Sequence, residues 1–511
     1  MLAKVISGTT VGLESVLVEV EVDIAEKSLP AFNIVGLPGK AIEEAKERIR
    51  PAIKNSGCKF PDHRITVNLT PADLPKEGPA YDLPMALGIL IASGQLGVDL
   101  SKALVLGELS LDGSLRHTKG VLPMALLAKE KKYQSLFLPI DNASEAAVIA
   151  GLKIYPVKSL SQLLYHFTNI EKIKPVKHLA FNQLKTDKEF EFDMLEIVGQ
   201  EQAKRAFEIA AAGGHNILMI GPPGAGKTML ARTLPSIMPS LTEQEALEVT
   251  KIYSITGNIH PRESIIKIRP FRSPHHTTSR IGLIGGGSKP SPGEISLAHR
   301  GVLFLDEFPE FPRSVLESLR QPIEDGFVQI SRAAGTMIFP AKFIFIAASN
   351  PCPCGYLGSA KKPCTCLAGV VSRYRKRISG PILDRIDIHL TVPEVKIEKL
   401  TSINQKITRE TSFQIRTRVQ QARERQLKRF QFLGLNLVSN SEMANKQVKK
   451  FCNLNKDCLN LMRQAMIKMN FSARVFFRLI KVARTIADLV GEKDIAPHHL
   501  AEAIQYQPHE E

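Results

Sequence analysis

Alternation of apolar and polar residues predicts a mixed α/β domain in the first part of the chain. Val16–Val22 alternates in its second half with the period of a half-buried strand, and Ile65–Leu69 alternates in the same way. Between them, Ala41–Ser56 has the spacing of a helix with one polar face. Strands interspersed with helices favour a compact α/β fold. We therefore expect residues 1–170 to form one α/β domain.

A lysine-rich stretch divides this domain from the rest of the chain. With 511 residues, and about 150 residues per domain as a guide, about three units are expected in the whole chain. Residues 171–192 combine several lysines with few aliphatic residues, a composition that predicts an exposed linker. A second α/β domain is expected at 193–395, followed by a helical domain at 396–511.

An apolar run in the second domain leads into a glycine-rich loop. Ile217–Ile220 predicts a short buried strand, and Met229–Arg232 suits the start of a helix. In a P-loop between such elements, backbone N–H groups surround a triphosphate, a lysine reaches the outer phosphates and a threonine hydroxyl binds Mg²⁺. The alternative is a chance glycine-rich turn, but the flanking elements favour an ATP and Mg²⁺ site. The loop consists of Gly221, Pro222, Pro223, Gly224, Ala225, Gly226, Lys227 and Thr228.

A second apolar strand ends in two acidic residues. Gly301–Leu305 is followed directly by Asp306 and Glu307. Two acids after an apolar strand are often only a solvated strand end, but their pairing with a P-loop gives them separate roles. We expect Asp306 to hold Mg²⁺ through water and Glu307 to act as the general base on the attacking water.

Net charge and the distribution of apolar residues indicate which partners and which cellular compartment to expect for this protein. The chain has 67 Lys and Arg against 51 Asp and Glu, a net charge of +16, which suits a polyanion such as DNA, although ordinary solubility is the alternative. Met1–Lys27 alternates valine with acidic residues and has no apolar core, which argues against a secretory signal. The longest apolar stretch, Leu83–Ala92, is too short to span a bilayer. We expect a cytoplasmic protein with no membrane partner.

Four of the seven cysteines lie close together in the sequence. They form two C-x-C pairs nine residues apart, and thiolates so grouped can bind Zn²⁺ tetrahedrally. Structural zinc sites usually space their cysteines more widely, so reduced unligated thiols and a redox pair remain alternatives. An odd total does not indicate a disulfide framework. The candidate zinc ligands are Cys352, Cys354, Cys364 and Cys366.

Further segments of the second domain resemble AAA+ ATPases. Val198–Ala206 resembles the helix that precedes the P-loop in that class and helps to hold adenine. Asn350, at the end of the strand Phe343–Ser349, is placed like the sensor that orients the attacking water. The resemblance implies that Arg385 is an arginine finger acting on the γ-phosphate of a neighbouring subunit, and that Arg474 is the sensor-two arginine of a helical lid. A surface ion pair is the alternative for either arginine.

Two insertions resemble those of magnesium chelatase motors and MCM helicases. One comprises residues 269–296, and the other, Val328–Phe339, predicts a β-hairpin with a tip of small residues. Nearly the whole chain resembles the YifB/ComM group of magnesium-chelatase-like ATPases. That resemblance implies an AAA+ core with a helical lid and a Lon-protease-like N-terminal domain.

The Lon-like resemblance comes without the protease's catalytic pair. Ala80 stands where a serine nucleophile is expected, and Leu122 where the activating lysine is expected. Ser93 and Lys119 lie nearby in the sequence, but a nearby serine and lysine are more often solvated surface residues. We therefore expect this domain to be a scaffold, a ring-building element or a DNA-contacting surface.

The resemblance implies an ATP-driven DNA translocase. Its expected activity is helicase action with branch migration, in natural transformation and homologous recombination, by a homo-hexamer that works with recombination proteins. Arg280, Lys289 and Arg332 are the expected phosphate contacts in the pore, and such contacts make binding salt-dependent. The alternatives are a chelatase-type motor that inserts metal into a macrocycle and, less favoured, a Lon-like ATP-dependent protease.

Overall fold

The computed structural model comprises two compact units. Unit 1 is Met1–Lys185 with Glu243–Ile266, and unit 2 is Thr186–Thr242 with Lys267–Glu511. The structure describes residues 2–25, 28–74, 76, 78–183, 190–259, 263–287, 290–332, 335–359, 362–394, 410–432, 434–435 and 437–508.

Unit 1 is built on a seven-stranded mixed sheet with the strand order β3-β4-β2-β1-β5-β8-β9. Its long strands alternate as the sequence predicts, because Val18, Val20 and Val22 all point into the core. The first nine strands are β1 Leu2–Val11, β2 Glu14–Ala25, β3 Ala31–Val35, β4 Arg64–Thr70, β5 Ala103–Val105, β6 Glu108–Leu109, β7 Leu115–Arg116, β8 Ser135–Pro139 and β9 Lys153–Val157.

The helices of unit 1 pack on that sheet, and one of them is buried on nearly every side. This is the apolar stretch Leu83–Ala92, a core helix whose residues are almost all buried. The helix predicted at Ala41–Ser56 is divided into two, because Glu44 has a ψ of −16°, closer to a 3₁₀ turn than to an α-helix. The first six helices are α1 Lys40–Glu43, α2 Ala45–Asn55, α3 Asp82–Ala92, α4 Val121–Glu130, α5 Ala143–Ala146 and α6 Leu160–Phe167.

Unit 2 is built on a five-stranded parallel sheet with the order β11-β14-β17-β10-β18. Its three central strands are almost entirely buried, as their continuous apolar runs predict for a sheet covered on both faces. The remaining strands are β10 Ile217–Ile220, β11 Phe271–Arg272, β12 Gly285–Gly286, β13 Ser291–Pro292, β14 Val302–Leu305, β15 Phe327–Arg332, β16 Gly335–Pro340, β17 Ile344–Ser349 and β18 Ile388–Thr391.

The C-terminal helices share one hydrophobic core with this sheet. Within residues 327–340, β15 and β16 pair as an antiparallel hairpin. The later helices are α7 Glu201–Gly213, α8 Lys227–Ile237, α9 Glu243–Thr256, α10 Arg280–Ile284, α11 Glu294–Leu297, α12 Arg313–Ser318, α13 Arg320–Asp325, α14 Ala368–Arg375, α15 Gly380–Leu383, α16 Ser412–Gln431, α17 Asn445–Phe451, α18 Lys456–Lys468, α19 Ala473–Val490 and α20 Pro497–Gln505.

Helix α9 belongs to unit 1, although its sequence lies between two elements of unit 2. Leu247 packs against the small core formed around α4. At the other end of α9, the Ser254 carbonyl accepts a hydrogen bond from Gly120 N at 3.0 Å, and its hydroxyl accepts one from Leu122 N at 3.4 Å. The chain therefore leaves unit 2 after α8 and re-enters it before β11, a path that the continuous predicted domain 193–395 does not include.

Candidate nucleotide-binding site

The P-loop follows β10 directly and is held by backbone contacts. Gly221 N donates to Ser349 O at 3.2 Å, which joins the start of the loop to the end of β17. A Cβ on Gly221 would lie 2.2 Å from Val392 O, so no side chain fits there. Gly224 and Gly226 have φ angles of 77° and 86°, a conformation that glycine adopts readily. The loop then enters α8, whose amino end is a favourable place for phosphate.

Lys227 lies inside this loop and connects it to the sensor strand. Its Nζ donates to the carbonyls of Gly221 and Pro222 at 2.7 and 2.9 Å, and to Asn350 Oδ1 at 3.1 Å. Burial lowers the pKa of Lys227, while Asp306 and Glu307 raise it. The structure thus brings the predicted phosphate-binding lysine and the predicted sensor asparagine into direct contact.

Thr228 and Asp306 form an oxygen pair suited to Mg²⁺. Thr228 Oγ1 donates to Asp306 Oδ2 at 2.7 Å, and Glu307 N donates to Asp306 Oδ1 at 2.9 Å. Adjacent ligands of octahedral Mg²⁺ at about 2.1 Å lie about 3.0 Å apart. The hydroxyl and the carboxylate therefore lie close enough together to serve one magnesium ion, with the hydroxyl as a direct ligand and the carboxylate acting directly or through the water expected from the sequence.

Glu307 is held in a left-handed conformation beside a histidine that the sequence did not place in the site. Its φ is 50°, unusual for a residue other than glycine, and its side chain is exposed. His276 Nδ1 lies 3.2 Å from Glu307 Oε2. His275 and His276 are adjacent residues of the first insertion. No local signal joins His276 to an acid 31 positions later, so this contact depends on the fold.

Arg385 lies at the opposite end of the sheet from the P-loop. It precedes β18, whose Ile388 pairs with Ile217, the first residue of β10, and these four-residue strands are about 13 Å long. Its guanidinium forms an ion pair with Glu324 of α13 and is largely buried. Asn216 Nδ2 donates to Arg385 O at 3.0 Å. Arg385 is thus separated from the nucleotide loop of its own chain.

Arg474 lies in the first turn of α19 with an exposed side chain. Arg478, one turn later, contacts the segment that contains Arg385, the predicted arginine finger. Arg478 Nη1 donates to the carbonyl of Ile386 and, at 3.4 Å, to that of Leu383. Burial lowers the pKa of Arg478, against the opposing effect of Asp387. The sequence did not single out Arg478, since nothing in its local pattern separates it from Arg474.

The four predicted zinc ligands lie together after β17. We call them the four-cysteine cluster: Cys352, Cys354, Cys364 and Cys366, whose sulfur atoms all lie within 4.8 Å of one another.

Of the predicted DNA contacts, Arg280 is exposed at the start of α10. Lys289 and the side chain of Arg332 lie outside the described residues.

The Lon-like positions contain no catalytic pair. Ala80 and Leu122 are both buried, and neither has a hydroxyl or an amine to offer. The neighbouring acid Asp82 is buried and paired with Arg48, at 2.7 Å. Burial raises the pKa of Asp82 to about 6, while Arg48 lowers it. Asp82, the first residue of α3, therefore has a structural role, since its pair with Arg48 ties α3 to α2.

The fold and site together define a class of protein. A sensor asparagine after the central strand of a parallel five-stranded sheet, with the P-loop after one neighbouring strand and the two acids after the other, defines an AAA+ ATPase core. None of the helices within the described residues combines the length and apolar character needed to cross a bilayer.

Comparison with known proteins identifies the family. Three family models match the chain. The model described as magnesium chelatase, subunit ChlI, matches residues 193–400, and the one described as subunit ChlI of Mg-chelatase matches residues 20–142. The model described as magnesium chelatase, subunit ChlI C-terminal, matches residues 409–507. Competence protein ComM of Haemophilus influenzae is 42% identical over 99% of this chain and 97% of its own length. Uncharacterized protein YifB of Escherichia coli is 40% identical over 97% of this chain and 95% of its own length.

The chain belongs to the YifB/ComM family of magnesium-chelatase-like AAA+ ATPases. This membership carries ATP as the nucleotide and Mg²⁺ as its metal ion. A partial similarity to Lon protease 2 of Bacillus subtilis, 27% identical over 29% of each chain, agrees with the Lon-like expectation for fold.

Proposed function

We propose that this protein is a cytoplasmic ATP-dependent DNA translocase that promotes branch migration as a homo-hexamer. The observation that carries the proposal is the arrangement around Glu307, where the acid strand meets His276 of the first insertion. An insertion that touches the general base is placed to convert hydrolysis into movement. Full-length similarity to a protein named for competence supports a role in natural transformation. We extend this proposal to homologous recombination, with recombination proteins as partners.

The hydrolysis step uses side chains that the structure brings together. Thr228 and Asp306 would hold the Mg²⁺ that accompanies ATP, and when bound this ion would supply positive charge beside the β- and γ-phosphates. Glu307 accepts a proton from the attacking water, and Asn350 orients that water. Lys227, which contacts Asn350, binds the outer phosphates and links the loop to the sensor.

The arginines complete the site from outside. Because Arg385 lies at the far end of the sheet from its own P-loop, it acts on the nucleotide of a neighbouring subunit, where its guanidinium stabilises the charge of the transferring phosphoryl group. Arg474 contributes from the lid. A site shared between subunits requires an oligomer, and a closed ring satisfies every interface equivalently.

DNA contacts are assigned to the two insertions of unit 2. A cavity of about 310 Å³ is lined by residues of both insertions, with Arg280 and Ile284 on α10 and Gln329 and Ser331 on β15. The two insertions therefore form one continuous surface. The chain's net charge of +16 supports a polyanionic ligand, and Arg280, Lys289 and Arg332 are the proposed phosphate contacts.

A chelatase-type motor is the second candidate, because the matching family models describe a magnesium chelatase subunit. Proteolysis has no nucleophile at Ala80 and no activating amine at Leu122. Strand displacement separates the candidates, since a translocase moves DNA and a chelatase motor acts on a protein partner.

The proposal is tested by branch migration on a synthetic three-strand junction with the full-length chain. We expect ATP-dependent strand displacement, lost in Glu307→Gln although that variant still binds ATP. Arg280→Ala should weaken binding to many DNA sequences alike and reduce the slope of log K against log salt by about one. ATP hydrolysis without displacement, together with salt-insensitive DNA binding, would refute the translocase.

A further inference from the structure

The four-cysteine cluster has the sulfur spacing of a metal site. The Sγ atom of Cys352 lies 3.4 Å from that of Cys354 and 3.7 Å from that of Cys364, and the Cys354–Cys364 distance is 3.6 Å. Four sulfur atoms bound to Zn²⁺ at about 2.3 Å would be about 3.8 Å apart. The observed distances are close to that value and far from the disulfide length of about 2.05 Å.

Backbone donors point at the same sulfur atoms. Leu357 N donates to Cys352 Sγ at 3.4 Å, and Cys366 N donates to Cys364 Sγ at 3.4 Å. Four thiolates around a divalent cation leave an excess of negative charge, which N–H groups directed at sulfur offset. Such outer hydrogen bonds accompany protein metal ligands and orient them. The cluster thus has both the ligands and the supporting donors of a zinc site.

A tight turn inside the cluster touches the P-loop. Gly355 N donates to Cys352 O at 2.9 Å and closes the turn, with a Gly355 φ of 85°. A Cβ on Gly355 would lie 2.8 Å from Pro223 Cδ and 3.9 Å from Asn350 Cγ. The backbone between the first two cysteines therefore packs directly on the phosphate-binding loop and the sensor.

We propose that the four-cysteine cluster binds one structural zinc ion, and that this ion holds the turn at Gly355 against Pro223 and Asn350. The metal takes no part in hydrolysis and acts by holding the position of the neighbouring backbone. Zinc bridges the two C-x-C pairs, and the resulting closed loop supports one wall of the P-loop. Because a loop fixed in this way is already ordered, nucleotide binding does not carry the entropic cost of ordering it, and ATP binds more tightly.

The metal is tested on the full-length protein purified without chelator. We expect about one zinc ion per chain by plasma mass spectrometry, and cobalt substitution that gives the intense d–d absorption of a tetrahedral thiolate site. Cys364→Ser should lose the zinc, whereas Cys58→Ser, the same change at a free cysteine of unit 1, should retain it. Wild-type protein with less than about 0.1 zinc per chain and no cobalt–thiolate absorption overturns the site.

The support that the turn at Gly355 gives to the P-loop is tested by two glycine substitutions. Both cause the same kind of backbone strain, because both residues have a positive φ. Gly355→Ala and Gly358→Ala both place a side chain at positive φ, 85° and 78°, but only Gly355 faces Pro223, and Gly358 faces open space. With zinc content unchanged in both, Gly355→Ala should weaken ATP binding about tenfold and Gly358→Ala should leave it near wild type. Equal ATP dissociation constants for the two variants overturn the positional role and leave zinc binding to its own test.

Discussion

At the residue scale, the most informative contact is that between His276 and Glu307. Glu307 is the proposed general base, and a general base works only when its carboxylate is held within reach of the attacking water. His276 Nδ1, 3.2 Å from Glu307 Oε2, is the described side chain that holds it, whereas the His275 ring nitrogen lies 2.9 Å from the Thr277 hydroxyl. The adjacent histidines thus have different partners.

We predict that His276→Ala lowers kcat for ATP hydrolysis about tenfold and leaves KM nearly unchanged, because the base loses its orientation and the nucleotide keeps its contacts. His276→Gln, which can still donate a hydrogen bond, should retain most of the activity. His275→Ala is the matched control. Equal rates for the two alanine variants would show that His276 does not position Glu307.

The proposed action of Arg385 on a neighbouring subunit predicts the ATPase activity of mixtures of two inactive variants. Arg385→Ala and Lys227→Ala should each be inactive alone, but a mixture should recover activity, since some interfaces then combine an intact P-loop with an intact finger. A mixture of Glu307→Gln with Lys227→Ala should not recover, because both defects lie on the same side of an interface. Steady-state ATPase rates measure this, and a mixture no more active than its components would contradict a shared site.

At the element scale, α9 links the two halves of the sequence. The amino end of α4 is held by two side chains: Glu145 Oε1 accepts from Leu122 N at 3.0 Å, and Ser254 of α9 accepts from the same N–H at 3.4 Å. Burial raises the pKa of Glu145, while its hydrogen bond with Ser254 lowers it. The helix therefore docks where the Lon-like stretch carries Leu122 in place of a lysine.

We predict that Ser254→Ala loosens this contact, because it removes the hydroxyl and adds no atoms to the buried site. Loss of a buried hydrogen bond costs about 1 kcal/mol, which corresponds to about fivefold faster amide hydrogen exchange at the start of α4. Thr256→Val is the control, since the Thr256 hydroxyl donates only to carbonyls of its own helix, at 3.0 and 3.3 Å. Unchanged exchange in Ser254→Ala would show that the Ser254 side chain does not secure α9.

At the scale of the whole molecule, the sequence predicts what is local and misses what the fold brings together. Ile217–Ile220 and the acids Asp306 and Glu307 could be placed because each polar group directly follows an apolar strand, and parallel strands present their carboxyl ends at one edge. The membership of α9 in unit 1 could not be predicted from the sequence, since the contacting residues Leu122 and Ser254 are 132 positions apart. Arg478 was missed for the same reason, as its partners lie more than 90 positions away.

The account's central claim is that ATP hydrolysis at this site is coupled to DNA. The most direct measurement is the steady-state ATPase rate of the full-length chain with and without a forked DNA substrate, at several salt concentrations. The account predicts a rate that rises severalfold with DNA, a stimulation that weakens as salt increases, and no turnover in Glu307→Gln. A rate that is the same with and without DNA at every salt concentration would contradict it.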